Sequence, residues 1–261
     1  MKVVALKATV LTGRGRPPLA VRSRIYPRIS VILPVKNGAM YLESAINSIR
    51  KQTFSDFELI VIDDGSQDCS AKIAADAARQ DARVRLSRNA GVGLVDALNT
   101  GLSMARGHYI ARMDADDISL PERFSHQVKV FETTPSVGVL GTQVQYIDHT
   151  GALIGRCSRF PTDRAKVARA LKSRCVLQHP TVMVRRGLIE DAGGYRRVTE
   201  TAEDYDLWLR MSARTGLANL PKVLLSYRLH PGQVSNQLNW SQRFSRDLAL
   251  ISARARERGR P

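Results

Sequence analysis

The chain has 261 residues, 43% hydrophobic and 25% charged, enough to bury a large core and too apolar to be a wholly disordered protein. Its 40 Lys and Arg outnumber 24 Asp and Glu, and the resulting +16 favours phosphate-bearing partners without choosing among nucleic acid, an anionic membrane surface and phosphorylated small molecules. Cys69, Cys157 and Cys175 are widely spaced and form no C-x-x-C pair, which suggests neither a zinc site nor a disulfide framework and fits a reducing cytosol.

Residues 1–27 lack periodicity, carry Gly13, Arg14, Gly15, Arg16, Pro17 and Pro18, and read as a flexible basic leader. Lys7 interrupts the first apolar run, well short of the roughly 18 apolar residues of a membrane span, so neither a signal peptide nor a transmembrane helix is expected. From Arg28 the pattern is regular. Strands are expected over 29–35, 57–62, 84–86 and 109–113, with helices over 41–52, 70–79 and 92–105 between them. Such alternation implies a parallel sheet whose ligands bind beyond the carboxyl ends of its strands. The second half is less regular: helices near 121–132, 163–171 and 203–214, strands near 137–146 and 181–184, strand-like segments to Leu229, and a basic helix from Trp240 to Glu257.

Two acidic clusters stand at strand ends. Asp63-Asp64-Gly65-Ser66 follows the second strand, and Asp114-Ala115-Asp116-Asp117 follows the fourth. Carboxylates gathered at one sheet edge repel one another, and a hard divalent cation with oxygen ligands, magnesium or manganese, is the usual remedy. An Asp-Gly pair is also a common turn, and Asp68, Ser70, Asp116 or Asp117 can cap a helix. The coincidence of two clusters at two strand ends favours the metal. Gly91 and Gly93 begin a dinucleotide-type loop, but Asp96 stands where its third glycine belongs, and no Walker loop occurs.

Asp204 precedes Leu207, Trp208 and Met211 at helical spacing, which puts a carboxylate beside an apolar face, where burial raises its pKa and suits it to proton abstraction. Thr201 with Asp204 three residues later equally matches a capping box. His179 and His230 are each either a ligand or a packed polar residue. The stretch Arg243 to Arg260 is either a solvated face or, with Trp240, Phe244, Leu248 and Ile251, a surface that rests on an anionic membrane.

The residues Ile29 to Val35 with Lys36-Asn37, then Asp63-Asp64-Gly65-Ser66, Asn89, Gly91, Asn99, Gly101, Ala105-Arg106-Gly107, Asp114-Ala115-Asp116-Asp117 and Glu203-Asp204-Tyr205-Asp206-Leu207-Trp208 together resemble a family 2 glycosyltransferase over about residues 28–236. The resemblance implies an α/β fold of the GT-A type, a mostly parallel central sheet flanked by helices, with a nucleotide-binding half over 28–117, an acceptor-binding half over 118–236 and a basic helical tail over 237–261. It implies inverting transfer of one sugar from a nucleotide-sugar donor, UDP- or dTDP-linked, to a saccharide or lipid-linked saccharide acceptor in bacterial surface polysaccharide synthesis. By position, Pro34 and Asp64 would hold the base with Asp63 in support, and Asp114 would face the ribose and sugar. Asp116 would bind the metal, Mn2+ or Mg2+, with His230 close to it, Arg228 would balance leaving-group charge, and Asp204 would be the base. The absence of a Gln-x-x-Arg-Trp motif implies one sugar per encounter. The implied setting is cytoplasmic, at the inner face of the cytoplasmic membrane.

Two rivals remain at this point. A sugar-phosphate nucleotidylyltransferase would want a glycine-rich basic loop after the first strand, where only Gly38 stands. A nucleic-acid-binding protein would suit the charge, but no zinc-finger or RNA-recognition spacing occurs and aromatics are 6%, so no nucleic-acid partner is expected.

Overall fold

Strands β1 (Ile29–Val35) and β2 (Phe57–Asp63) are buried along their whole length and pair in parallel from Ile29↔Phe57 to Val35↔Asp63. Successive strand side chains point to opposite faces. Val31, Leu33, Leu59 and Val61 therefore join one core, and Ile32, Ile60 and Ile62 join a second core across the sheet. Burial on both faces is why these segments read as continuous apolar runs rather than alternating ones. The computed structural model describes residues 26–233 and 239–258, so the expected basic leader lies outside the described residues save for Tyr26 and Pro27.

Helices α1 (Ala39–Arg50), α2 (Ser70–Gln80) and α4 (Arg123–Thr133) cover the first core through Leu42, Ile46, Ala74, Phe124 and Val128. On the other face, α3 (Leu94–Met104), α5 (Arg164–Leu171), α6 (Arg186–Asp191), α7 (Glu203–Ser212) and α8 (Asn239–Glu257) contribute Leu98, Val167, Ile189, Trp208 and Ala249. Gly101 is where α3 meets the sheet: a Cβ there would lie 2.5 Å from Ile32 Cγ2, so the helix approaches only without a side chain.

The remaining strands are β3 (Val84–Arg88), β4 (Tyr109–Arg112), β5 (Ile118–Ser119), β6 (Val137–Ile147), β7 (Leu153–Cys157), β8 (Met183–Arg185) and β9 (Gly216–Arg228). They form one sheet in the order β3-β2-β1-β4-β8-β6-β9-β5, with β7 on β6. The sheet is mostly parallel, with three strands reversed: β8 between β4 and β6, β5 on β9, and β7 on β6. The sequence reading did not anticipate β5, β7 or α6. Two residues are too few for a period, β7 is exposed at every position, and α6 is six residues long. The strand expected at 181–184 is split, because Pro180 opens a 3-10 turn at His179–Thr181 before β8 begins.

Asp206 and Arg210 fix α7 to the loop before it. Arg210 Nε donates to Asp206 Oδ2 at 2.8 Å, and the same guanidinium donates to Ala192 O and Gly194 O, with both side chains buried. Removing the carboxylate leaves a buried charge unpaired, so Asp206→Ala is expected to lower stability by about 3–5 kcal/mol. Urea unfolding monitored by circular dichroism checks this, and a loss under about 1 kcal/mol would show that the pair is dispensable. No helix among the described residues is long and apolar enough to cross a membrane.

Candidate active site

The loops after β1 and β2 are tied together by polar side chains. Asn37, at φ 53, accepts from Gln67 N through Oδ1 and donates its backbone N–H to Ser66 Oγ. Ser70 Oγ accepts from Gly38 N, and Asp68 accepts from Ala39 N and Ser70 N. The N-cap of α2 is Cys69 with no side-chain cap, so Ser70 does not cap that helix; Asp68 makes the turn to Ser70 N, and both residues bridge to the start of α1. Gly65 and Gly91, both at positive φ, let the loops after β2 and β3 touch, since a Cβ on Gly65 would lie 3.0 Å from Gly91 Cα.

This scaffold presents Asp63 and Asp64 at the end of β2. Asp63 Oδ1 accepts from Ser66 N at 3.1 Å and is spent on the turn. Asp64 Oδ2 accepts from Gly93 N at 3.0 Å and lies 4.0 Å from Lys36 Nζ, while its Oδ1 is buried with no partner. Pro34 is buried in β1, paired in register with Ile62.

The second cluster is set by β4 and β5. Asp114, Asp116 and Asp117 follow β4, and β5 then pairs antiparallel with β9 at Ile118↔Ser226, which brings the end of β9 beside the acids. One ligand oxygen from each of Asp114, Asp116 and Asp117 lies within 4.8 Å of the others. Asp117 Oδ1 accepts from Arg228 N at 2.9 Å, and its Oδ2 is buried without a partner. His230 Nε2 lies 2.9 Å from Asp116 Oδ2. Burial, and then the charge of Asp114, push Asp116 above the usual carboxylate range. Burial, Asp114 and Asp116 push Asp117 well above it. Clustered oxygens, one of them orphaned, suit a hard divalent cation, which would relieve this repulsion. Arg228 is buried: Nε donates to Asp116 O at 2.8 Å, Nη1 to Asp148 O and His149 O, and the guanidinium lies 4.4 Å from the Tyr41 ring centroid.

Asp204 stands at the first turn of α7. The N-cap is Ala202, with no side-chain cap, so the capping-box alternative is not realised, and Thr201 instead sits at φ 83 with Oγ1 donating to Ser245 Oγ of α8. Strain of this kind in a β-branched residue persists only where the surroundings enforce it. Burial pushes Asp204 up to about 6, against the lowering by Tyr205 N and Arg112, and the charge of Asp114 raises it further. Burial and the charge of Asp204 push its neighbour Glu203 up to about 7. Glu203 Oε1 lies 3.8 Å from His179 Nδ1, in the turn that packs on β4, which puts the α7 carboxyls near the strand-end cluster, and the charge of Asp114 raises both.

Arg112 was not singled out from sequence. It is buried at the end of β4, with Nη2 donating to Asp114 Oδ1 at 2.6 Å and Nε unpartnered. A charged residue inside the apolar run Tyr109–Met113 was the available signal. His179 is the packed alternative: Nε2 is 2.9 Å from Tyr195 Oη, the ring meets Trp208 edge-on, and burial keeps it neutral. Asn99 holds Tyr195 by both of its backbone groups. Six buried side-chain polar atoms lack partners among the described residues, and three of them, on Asp64, Arg112 and Asp117, lie here. Such a concentration marks a place built for a polar ligand.

Residues 30–192 match the family model described as Glycosyl transferase family 2. The chain is 35% identical over 212 residues to the O-antigen biosynthesis glycosyltransferase WbnJ of Escherichia coli, covering 79% of this chain and 82% of that protein. It is 33% identical over 202 residues to the amylovoran biosynthesis glycosyltransferase AmsE of Erwinia amylovora, covering 77% and 75%. Among solved structures, S. aureus TarS 1–349 in complex with UDP-GlcNAc superposes with a TM-score of 0.65 at 22% identity, over 79% of this chain and 60% of that one. The mannosyltransferase PcManGT of Pyrobaculum calidifontis, in complex with GDP-Man and Mn2+, gives 0.64 at 19%, over 91% and 66%. The match spans less than two thirds of either solved chain, and these two likenesses establish the GT-A fold alone.

Proposed function

Because this chain belongs to glycosyl transferase family 2, we propose that it moves one sugar from a UDP- or dTDP-linked donor to an acceptor hydroxyl, with inversion at the anomeric carbon. The observation that carries this reading is the gathering of acids at the carboxyl ends of parallel strands, Asp64 with a free oxygen after β2 and the Asp114-Asp116-Asp117 cluster after β4, with the raised Glu203-Asp204 pair on α7. Residues 28–117 form the nucleotide half and 118–236 the acceptor half.

Asp64 Oδ1 accepts the imide N–H of the base, an interaction its burial strengthens, Pro34 holds the base with it, and Asp63 supports them through the turn. Asp114 orients the ribose and sugar, its own position fixed by Arg112. Asp116, with His230, Asp114 and Asp117 around it, would hold a divalent cation, manganese or magnesium, whose charge would offset that of the diphosphate. Arg228, committed to carbonyl groups, braces the Asp116 backbone and adds positive charge at a distance. Asp204 takes the proton of the acceptor hydroxyl, and the oxygen forms its bond to the anomeric carbon as the bond to the nucleotide diphosphate breaks on the opposite face.

The names of the relatives, with O-antigen and amylovoran synthesis in them, support a saccharide or lipid-linked saccharide acceptor in surface polysaccharide assembly. Work in the cytoplasm, at the inner face of the membrane, belongs to the same reading. Thermal unfolding with UDP, dTDP, GDP and CDP, each with and without manganese, tests the donor site, since a ligand of the folded state raises the melting temperature. UDP or dTDP is expected to give the largest manganese-dependent rise. A larger rise with GDP or CDP rejects the base assignment, and no rise with any rejects the donor site.

A further inference from the structure

Helix α8 is tied to the site from outside. Ser245 Oγ donates to Glu200 O at 2.8 Å and accepts from Thr201 Oγ1 at 3.2 Å, and Ala249 is buried in the second core. Another side of the helix differs. Phe244 and Ile251, two turns apart on one face, are 59% and 62% exposed, and Val198, in the 3-10 turn Arg197–Thr199 packed beside α8, is 69% exposed. Arg243 and Arg254 of α8, with Arg196 of the adjoining loop, are exposed around them, and Arg197 beside Arg196 is exposed but paired with Asp96 at 2.6 Å. The sequence from 243 to 260 holds six arginines and two acids, Asp247 and Glu257.

We infer that this face of α8, together with Val198, docks the protein onto a bilayer rich in anionic headgroups. Apolar side chains flanked by arginines suit the boundary between acyl chains and phosphates, where burial and charge attraction add. An anionic polymer would engage the arginines but leave Ile251 and Val198 facing water. Through Ser245, docking sets the backbone that leads into Glu203 and Asp204 at a fixed place relative to the lipid surface. That last link rests on the transferase reading and on a lipid-linked acceptor.

Flotation of the full chain with vesicles of phosphatidylethanolamine and phosphatidylglycerol, against vesicles of phosphatidylcholine alone, tests the docking. The protein is expected to float with the anionic vesicles and not with the neutral ones. Arg243→Gln with Arg254→Gln should weaken partitioning about 25-fold, at about fivefold per charge removed. Phe244→Ser with Ile251→Ser should weaken it at least about tenfold. Both double variants should keep the circular dichroism melt of the parent and its nucleotide binding. No flotation of the parent, equal flotation with neutral vesicles, unchanged flotation of folded variants, or retention by RNA in place of vesicles overturns the proposal. Flotation needs neither donor nor metal, so its failure leaves the transferase reading intact, and a failed nucleotide screen leaves flotation to stand.

Discussion

Asp204→Asn is expected to lower kcat by about 10²–10⁴-fold while leaving nucleotide affinity unchanged. Asparagine keeps the shape of the side chain and its acceptor to Tyr205 N, but it cannot take a proton. Asp204 lies at the start of α7, and the substitution leaves the contact between Asp64 Oδ2 and Gly93 N untouched, so the donor should bind as before. Titration calorimetry with UDP or dTDP and manganese, beside single-turnover transfer, separates the two effects. Retained transfer in the variant would remove Asp204 from the chemistry.

The pH profile gives the same assignment a second test. A base works only when deprotonated, so transfer should rise with pH through the values of the α7 carboxyls, about 6 for Asp204 and about 7 for Glu203, and the limb should vanish in Asp204→Asn. The sign for stability is opposite. Both groups bind protons more tightly folded than at their ordinary 3.8 and 4.5, so their contribution is complete below those values and is lost as pH rises through about 6 to 7. Activity and stability should therefore move in opposite directions across that window.

Asp116→Ala is expected to weaken manganese-dependent nucleotide binding by at least about 100-fold, since loss of a direct ligand should cost no less than loss of the groups that orient one. The variant leaves Asp114 and Asp117 in place and removes the partner of His230 Nε2. Nucleotide binding without metal should change little. Calorimetry with and without EDTA reads both arms independently of turnover. If EDTA and Asp116→Ala each leave nucleotide affinity untouched, the acids are structural and the cation assignment fails.

Much of the first half was legible because its signals are local. Short continuous apolar runs rich in β-branched residues place β1 and β2, and the acids at 63–64 and 114–117 follow strand ends by sequence alone. Arg112 was passed over because one charge in an apolar run carries no direction; burial and its 2.6 Å bond to Asp114 give it one. Thr201 and Asp204 matched a capping box by spacing, and only the backbone, which puts the N-cap at Ala202 with no side-chain cap, shows that the box is not formed.

The sequence by itself determined the α/β class, the parallel half of the sheet and the stations of the acidic residues, since side-chain periodicity and strand ends depend on neighbours a few positions away. Tertiary structure decided which of those residues meet. His230 reaches Asp116 across 114 positions because a two-residue strand pairs with β9, and Glu203 of α7 comes within 3.8 Å of His179 in the turn before β8. Long-range pairing and burial assemble groups whose separations no local pattern encodes, and the same burial gives the carboxyls their raised proton affinity.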